Sequence, residues 1–281
     1  MGLVKVSEIL KQADKEKTAA LAFDCTDYNM IYSAVTVAEE LQKPVIVMLY
    51  PEHNYLNNAF DLAGFAATVK NLAAGVKVPV GLHLDHSSDP VYIMKAIKAG
   101  FTSVMVDGSL LPFEENMKLA ERVTEIAHAF DVDVEAELGR VGLAKDSDQD
   151  KADMYTRPEI AAEFCERTHV DSIAVAIGNA HGVYLEKPKL DMERLDEINK
   201  ATDVPLVLHG GSGIPDEQLT LAFRKGINKL NVGTEFFQTN YNSIREYCDT
   251  WMNRGNVFDM PVFIQERLMA YLRRKMELSE F

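Results

Sequence analysis

Short apolar runs rich in β-branched residues recur along the chain, and each is followed by a longer segment with apolar positions at helical spacing. The runs are nearly all apolar instead of alternating with polar residues, which is typical of strands buried on both faces of a parallel sheet. Eight runs fit this description, at 19–23, 44–50, 79–84, 102–106, 132–138, 172–177, 205–209 and 229–232. The pattern therefore predicts eight parallel strands covered by helices.

Helix signals fill the segments between the runs. Apolar residues recur at helical spacing in 29–42, segment 112–130 opens with Pro and acidic residues, and 215–225 opens with Pro-Asp-Glu and closes at Gly226. Eight βα units without a flexible linker favour a single (β/α)8 TIM barrel over residues 1–281, with a C-terminal helical extension at about 236–281. A doubly wound open sheet is the alternative, but no GxGxxG follows the first strand.

The composition narrows the choice of partners. The chain has 281 residues, is 47% apolar and carries a formal net charge of −14, so it can bury a sizeable core under a surface that repels phosphodiester backbones and anionic lipid. We expect neither nucleic acid nor a membrane as partner. The three cysteines cannot form a disulfide framework, and no apolar run resembles a signal peptide or membrane span, so we expect a cytoplasmic protein.

Polar residues follow the predicted strands, at the edge where barrel enzymes place their working groups. Three of the seven histidines are among them, after the third, sixth and seventh strands. Imidazoles converging from different strands can form an open three-ligand zinc site, although a lone histidine there is more often a hydrogen-bonded structural residue. The residues are Asp24, Asp85, His86, Asp107, Glu137, Asn179, His181, His209, Asn231 and Thr234.

Two glycine-rich turns supply a second candidate feature. HGGSG at 209–213 and NVGT at 231–234 each follow a predicted strand and precede a predicted helix. Backbone N–H groups and a helix N-terminus can then point at an anion, and the position after strands seven and eight is where barrels commonly bind phosphate. The alternative is that both segments are simply tight turns.

Five motifs, in order along residues 19–235, resemble those of the class II, zinc-dependent ketose-bisphosphate aldolases, the group that includes fructose- and tagatose-bisphosphate aldolases. The motifs are LHLDH at 82–86, VEAELG at 134–139, AVAIGNAHGVY at 174–184, LVLHGGSG at 206–213 and LNVGTE at 230–235. The resemblance is specific for the family and does not specify the sugar.

The resemblance implies a role for each matching position. His86, His181 and His209 would bind one catalytic Zn²⁺, and Asp85 would exchange the proton of the substrate's C4 hydroxyl. Asp107 and Glu137 match acidic positions that hold a second or alternate metal position in relatives. Na⁺ or K⁺ is also expected near the dihydroxyacetone phosphate end of the substrate. The residues around that end would be Gly182, Gly210, Gly211, Ser212, Asn231, Gly233 and Thr234.

The chemistry suits these residue types. Retro-aldol cleavage leaves a carbanion beside a ketone, which Zn²⁺ can stabilise as a Lewis acid while a nearby carboxylate handles the hydroxyl proton. The other known route, a lysine Schiff base, needs a desolvated amine on a strand, and no predicted strand end carries a lysine.

The loop after 134–139 departs from the family pattern. Lys145 or Ala144 stands where relatives carry the acidic residue that shuttles the C3 proton. Asp146 or Asp148 would take over that proton if the loop shifts, since mobile loops often complete a site on closure. The alternative interpretation, which the sequence supports equally well, is that this segment is a solvated charged loop without a catalytic role.

The far end of the substrate site departs as well. Asp24 stands where relatives carry Asn, and Tyr50 and His53 lie where relatives usually place a small Ser-Gly-rich turn. We expect these three residues to contact the distal part of the substrate. A carboxylate in place of an amide changes which hydroxyl or charge of the substrate is tolerated beside it. The sequence therefore does not by itself predict fructose 1,6-bisphosphate as the substrate.

The sequence thus predicts a homodimeric or homotetrameric enzyme that reversibly cleaves a ketose 1-phosphate or 1,6-bisphosphate to dihydroxyacetone phosphate and an aldehyde. One alternative is a non-catalytic homologue that binds metal or sugar phosphate. A zinc hydrolase on a barrel is a further alternative, but that class uses His-x-His after the first strand, where this chain has Asp24, Cys25 and Thr26.

Overall fold

A computed structural model describes residues 2–51, 61–139, 142–143, 155–182, 187–251 and 256–281. Its eleven described strands lie in two parallel sheets, a large one and a pair of two-residue strands. The strands are β1 (Gly2–Leu3), β2 (Ala20–Asp24), β3 (Val45–Leu49), β4 (Pro79–Ser87), β5 (Ser103–Val106), β6 (Asp133–Leu138), β7 (Gly142–Leu143), β8 (Ser172–Val175), β9 (Ala180–His181), β10 (Leu206–Leu208) and β11 (Ile227–Val232).

The large sheet closes into a barrel. Its strands follow the order β2, β3, β4, β5, β6, β8, β10 and β11, and β11 pairs back onto β2 in parallel, with Val232 opposite Phe23. Strand β1 adds to the start of β4, and β7 pairs with β9 outside the barrel. The predicted (β/α)8 barrel is confirmed, and the open doubly wound sheet is wrong because the eight strands leave no edge between them.

Helices follow the strands and cover the barrel. The described helices are α1 (Val6–Glu16), α2 (Tyr28–Leu41), α3 (Leu62–Ala73), α4 (Pro90–Ala99), α5 (Phe113–Ala129), α6 (Pro158–Thr168), α7 (Met192–Ala201), α8 (Asp216–Arg224), α9 (Thr234–Trp251) and α10 (Met260–Met276), with a 3₁₀ turn at Val257–Asp259. Aspartates at 27, 61, 89 and 191 cap four of them by accepting a first-turn backbone N–H. Such caps fix where each helix begins and where the preceding loop must end.

Two strands end at places that the apolar runs did not predict. Strand β4 continues through Asp85 and His86 to Ser87, and its pairing with β5 shifts register between Leu84 and Ser87. Strand β8 stops at Val175, because the next backbone N–H groups leave the ladder. The N–H of Ala176 donates to Thr156 Oγ1 and that of Ile177 to Asn179 Oδ1, both at 2.9 Å. Both irregularities lie beside predicted site residues.

The barrel interior is apolar at one end and polar at the other. Helix α1 closes the amino-terminal end with Val6, Ile9 and Leu10, which pack in one buried cluster with small and apolar side chains of β2 and β3. Gly81 lacks the Cβ that would lie 2.9 Å from Val6 Cγ2, so β4 leaves room for α1. With this end filled, the carboxyl-terminal end is where polar side chains can collect.

The last two helices pack against the rest of the barrel. Helix α10 contacts α2 and α9, and Tyr271 of α10 stacks on Phe236 of α9 with ring centroids 5.8 Å apart. The division into one barrel domain and a C-terminal extension stays a prediction. No helix in the part of the chain that the structure describes is both long and apolar enough to cross a membrane.

Candidate metal centre and active site

Three histidine rings meet at the carboxyl-terminal end of the barrel. The ring of His86 lies 4.5 Å from that of His209 and 4.9 Å from that of His181, and the third pair of centroids is 5.9 Å apart. One nitrogen of each ring lies within 4.8 Å of one nitrogen of both others. The structure therefore brings together the three residues that the sequence proposed as metal ligands.

Unusual backbone geometry places these rings. His86 occupies the irregular part of β4 with a φ of 35°, a conformation that non-glycine residues rarely adopt and that clusters at functional sites. Gly210, directly after His209, has a φ of 64°, and a Cβ there would lie 2.2 Å from the carbonyl oxygen of Ala180. Only glycine lets the segments that carry His181 and His209 approach so closely.

Carboxylates fix the orientation of two of the rings. Asp107 Oδ2 lies 2.8 Å from His86 Nδ1, and Glu135 Oε1 lies 2.9 Å from His209 Nε2. Each carboxylate holds a ring N–H, which leaves His86 Nε2 and His209 Nδ1 facing each other at 2.7 Å. A carboxylate on the far nitrogen of a metal-binding histidine is the usual way that proteins set the tautomer and orientation of such a ring.

The electrostatics of the three rings fit a shared cation. Burial alone would lower the pKa of His86, but the Asp85 carboxylate and the hydrogen bond to Asp107 raise it to about 10. Burial and the neighbouring rings of His86 and His209 lower the pKa of His181 to about 3, so this ring is neutral. His181 Nε2 is buried and has no hydrogen-bond partner among the described residues. Once the proton shared by His86 and His209 leaves, the three ring nitrogens form a donor set that can bind a metal ion.

The two acidic residues proposed for an alternate metal position adjoin the same centre. Glu137 Oε2 lies 3.9 Å from His86 Nδ1 and equally far from His209 Nδ1. Asp107, Glu137 and His86 form a second group whose donor atoms lie within 4.8 Å of one another. Asp107 and Glu137 can therefore hold a metal ion beside the three-histidine site, with His86 as a ligand common to both positions.

A buried ion pair below the histidines was not singled out from the sequence. Lys229 and Glu135 are both fully buried, and Lys229 Nζ donates to Glu135 Oε2 at 2.7 Å while Glu135 Oε1 holds His209. Ser172 Oγ adds a hydrogen bond of 3.2 Å to the same carboxylate. The alternation of side chains along a strand could have indicated this pair. Glu135 and Glu137 are two residues apart and so share a face of their strand, as do Lys229 and Asn231. A lysine so paired is not a free amine for a Schiff base.

His83 lies on the same face of β4, below Asp85. It is fully buried, and its Nδ1 lies 2.8 Å from Ser103 Oγ. Burial and the charge on Lys229 lower the pKa of His83 to about 3, so the ring is neutral. His83, Asp85 and Glu135 are also close enough to count as a ligand group. The hydrogen bond to Ser103 holds His83 beneath the three histidines of the candidate metal centre.

Asp85 is buried between the metal centre and β11. Its Oδ1 accepts a hydrogen bond of 2.9 Å from Asn231 Nδ2. Burial would raise the pKa of Asp85, but the charges of His86, His209 and Lys229 lower it below its ordinary value. Asn231 Oδ1 is buried without a partner among the described residues, so it can still accept a hydrogen bond from a substrate hydroxyl. The pair offers a carboxylate base with a fixed orientation.

The two glycine-rich turns lie side by side. Gly211 N–H donates to the Asn231 carbonyl oxygen at 3.1 Å, and the Glu235 backbone N–H donates to Ser212 Oγ at 3.1 Å. Helix α9 begins at Thr234, so the positive end of its dipole adjoins both turns. The residues proposed for phosphate binding at 210–212 and 231–234 are therefore adjacent, and Gly182 follows the metal-site His181 with a φ of 94°.

Glu235 ties the turns to the last helix. Its Oε1 accepts a hydrogen bond of 2.7 Å from Gly213 N–H, and its Oε2 accepts one of 2.8 Å from the Tyr271 hydroxyl. The buried Lys275 lies 3.2 Å from the same oxygen. Burial would raise the pKa of Glu235, but Lys275 and Tyr271 lower it. Helix α10 thereby supports the candidate phosphate turns without occupying them.

The residues proposed for distal contacts are only partly described. Asp24 ends β2 inside the mouth of the barrel, and the Tyr50 ring meets the His86 ring edge-on with centroids 5.9 Å apart. His53 lies outside the described residues, as do Lys145, Asp146 and Asp148. Their predicted roles, including the transfer of the C3 proton, stay predictions.

The protein is thus a (β/α)8 barrel with a candidate metal centre at the carboxyl-terminal end of its strands, where carboxylates orient two of the three histidines. A sequence model of class-II fructose-bisphosphate aldolase matches residues 4–280. The chain belongs to the class-II fructose-bisphosphate aldolase family, and the resemblance drawn from its five motifs is confirmed. Membership implies aldehyde-lyase activity.

Solved structures agree with this assignment. The chain is 32% identical to the YdjI aldolase from Escherichia coli K12, with a TM-score of 0.88 and coverage of 99% of this chain and 97% of that one. A putative fructose-1,6-bisphosphate aldolase from Coccidioides immitis is 28% identical, with a TM-score of 0.85 and coverage of 98% and 95%. Fructose-bisphosphate aldolase from Campylobacter jejuni, at 24% identity and a TM-score of 0.85 over 99% and 95%, shares the fold.

Zinc binding should release a proton from the histidine centre. Because the pKa of His86 is raised to about 10 in the metal-free protein, its ring carries a proton at pH 8 that an incoming ion must displace. We expect about one proton released per Zn²⁺ at pH 8, with a smaller release at pH 10 and above. Titration calorimetry in two buffers of different ionisation enthalpy measures this number. His128→Gln, which alters a more exposed histidine paired with Asp171, should give the same value. Binding without proton release at pH 8 would contradict the shared-proton assignment.

Glu135 should set the zinc affinity through His209. We expect Glu135→Leu combined with Lys229→Met, which removes the pair and leaves His209 Nε2–H without its carboxylate, to weaken Zn²⁺ binding about 10- to 100-fold. Competition with a chelating dye measures the dissociation constant.

The matched control for this change is Glu135→Gln with Lys229→Met. It also removes both charges, but its amide oxygen can still accept the ring N–H, so it should lose less affinity than the leucine variant. Glu135→Gln alone leaves Lys229 buried without a countercharge and should destabilise the protein by about 3–5 kcal/mol. Equal and unchanged zinc affinity in both double variants would show that the ion pair serves only the stability of the barrel.

Proposed function

We propose that the protein catalyses the reversible cleavage of a ketose 1-phosphate or 1,6-bisphosphate to dihydroxyacetone phosphate and an aldehyde, with one Zn²⁺ bound by His86, His181 and His209. The observation that carries the proposal is the convergence of the three rings beside the buried Asp85 carboxylate. Family membership supports the reaction class. The identity of the ion and of the sugar is our inference from the donor set and the adjacent turns.

The phosphate end of the substrate fits the turns of β10 and β11. The N-terminus of α9 supplies partial positive charge at these turns without a lysine or arginine, while the Gly211 N–H is engaged by the Asn231 carbonyl oxygen. Ser212 Oγ can contribute one further hydrogen bond. With Gly182, these groups would hold the phosphate and orient the carbon chain toward the histidines, whereas Gly233 adjoins the Asp24 carboxylate. A Na⁺ or K⁺ ion near the same backbone would offset part of the phosphate charge.

Proton transfer at C4 is the task of Asp85 in this proposal. A Zn²⁺ ion bound by the three histidines supplies Lewis-acid polarisation of the substrate's carbonyl. Asp85, held by Asn231, accepts the C4 hydroxyl proton as the C3–C4 bond breaks and the aldehyde forms, and it returns the proton during condensation. The electron pair of the broken bond stays on the ketone half, which becomes dihydroxyacetone phosphate when C3 gains a proton. Its lowered pKa keeps it ionised and ready to act as a base at neutral pH. Burial excludes water that would compete for the proton.

We also propose that the protein works in the cytoplasm as a homodimer or homotetramer. Large apolar side chains are exposed on α2, on α9, on the 3₁₀ turn before α10 and on the first turn of α10. Asp27 bonds Asn240 and Asn29 bonds Gln265 at 2.8 and 2.9 Å, which joins these helices into one face. An exposed apolar face of this kind favours association with a second copy. The exposed residues are Tyr28, Tyr241, Ile244, Phe258 and Val262.

An aldol condensation assay tests the reaction. Purified protein mixed with dihydroxyacetone phosphate and a panel of aldehydes should form a ketose phosphate, lose this activity with a chelator and regain it with Zn²⁺. Borohydride added with dihydroxyacetone phosphate should leave the activity unchanged, because Lys229 forms no Schiff base. Tight sugar-phosphate binding without turnover would favour the non-catalytic alternative, and useful ester or amide hydrolysis would favour the zinc hydrolase.

Substitution of Asp85 tests the assigned base. Asp85→Ala should lower kcat by at least about 10³-fold, within the usual range for loss of a general acid or base, while Zn²⁺ stays bound. Asp85→Asn keeps the size and shape of the side chain. It should be equally inactive, because an amide cannot accept the hydroxyl proton. Elemental analysis confirms the metal content of each variant. Turnover retained in either one would remove Asp85 from the mechanism.

A further inference from the structure

Asp24 presents a buried carboxylate that the reaction so far leaves unused. It ends β2 opposite the turn at Gly233, and a Cβ on that glycine would lie 2.9 Å from Asp24 Oδ2. Asp24 is only 7% exposed, and its Oδ1 has no hydrogen-bond partner among the described residues. Glycine at 233 therefore leaves space for a carboxylate whose second oxygen is unsatisfied.

A buried oxygen without a donor calls for an explanation, because such a group costs about 1–3 kcal/mol when left unpaired. A hydrogen-bond donor on a bound substrate would satisfy Asp24 Oδ1. A sugar hydroxyl can donate to Asp24 Oδ1. An ionised phosphate has only acceptor oxygens and cannot.

The surroundings of Asp24 are acidic. Burial and the neighbouring Asp85 carboxylate raise the pKa of Asp24, because both disfavour negative charge at this position. The described residues at the carboxyl ends of β2, β3 and β4 and directly after them are 24–27, 50–51 and 85–89, and they include four aspartates and no lysine or arginine. The candidate phosphate turns belong instead to β10 and β11. A second phosphate on the β2–β4 side would meet carboxylates and, among these residues, no lysine or arginine.

From this arrangement we propose that Asp24 determines specificity: it accepts a hydrogen bond from a hydroxyl of the aldehyde half of the substrate and disfavours a phosphate there. The preferred substrates are ketose 1-phosphates whose aldehyde half is an uncharged hydroxyaldehyde, in preference to ketose 1,6-bisphosphates. This inference rests on the proposed aldolase function and narrows its substrate class.

The test compares two aldehydes that differ only in one phosphate. The wild-type protein condenses dihydroxyacetone phosphate with glyceraldehyde or with glyceraldehyde 3-phosphate, and kcat/KM is measured for each. We expect the wild type to favour glyceraldehyde at least about tenfold, and Asp24→Asn to shift the ratio at least about tenfold toward the phosphorylated aldehyde, since the amide is neutral and can donate.

Asp27→Asn is the matched control. Asp27 lies on the same side of the mouth, but its carboxylate already accepts from Met30 N–H and the Asn240 amide. Asparagine preserves the helix cap, so the aldehyde ratio should stay within about twofold of the wild type. An equal shift in Asp27→Asn would show that net charge alone sets the preference and would overturn the role of Asp24.

Other outcomes separate this inference from the proposed function. A wild type that favours glyceraldehyde 3-phosphate, or an Asp24→Asn variant with an unchanged ratio, overturns the inference while the aldolase function stands. No condensation with either aldehyde overturns both.

Thermal unfolding of the substrate-free protein adds an independent measurement. Asp24→Asn should unfold within about 4 °C of the wild type, because no protein hydrogen bond to Oδ1 is lost. A larger fall would mark Asp24 as a structural residue and contradict the proposal.

Discussion

The contact between His86 Nε2 and His209 Nδ1 is the constraint on which the rest of the site depends. Two ring nitrogens 2.7 Å apart face each other across a shared hydrogen, and a metal ion bound by both would replace that hydrogen and move the rings apart. Asp107 and Glu135 hold the opposite nitrogens and thereby direct these two toward each other. The positive charge at this point, whichever cation carries it, is what keeps Asp85 ionised inside the protein.

Support for this contact reaches down into the barrel. Glu135 could not hold His209 as a fully buried anion without Lys229, because an isolated buried charge is far more costly than a paired one. The pair in turn needs strands that place both side chains inside a closed barrel, above the apolar plug formed by α1. Closure of the fold and orientation of a metal ligand are thus coupled through one carboxylate that serves both.

The sequence predicted the strands well because parallel barrel strands are buried on both faces, so each appears as a short apolar run. It also predicted which polar residues collect at the mouth, since the carboxyl ends of parallel strands meet at one edge. The sequence did not predict the buried ion pair of Lys229 and Glu135. A charged residue within an apolar run does not reveal its partner until the pairing of the strands is known. Nor did the sequence predict that β4 continues past Leu84, since the register shift there depends on pairing with β5.

The distribution of charge explains how an acidic protein can bind an anionic sugar. The net charge of −14 is spread over the whole chain, whereas the candidate phosphate turns adjoin a helix N-terminus whose partial positive charge acts only at short range. The turn at 210–212 carries no acidic residue, whereas the β2–β4 side of the mouth carries Asp24 and Asp85. A substrate with one charged end and one hydroxylated end matches this gradient in a single orientation. Polarity of the site therefore fixes the direction of the carbon chain, and with it which hydroxyl reaches Asp85.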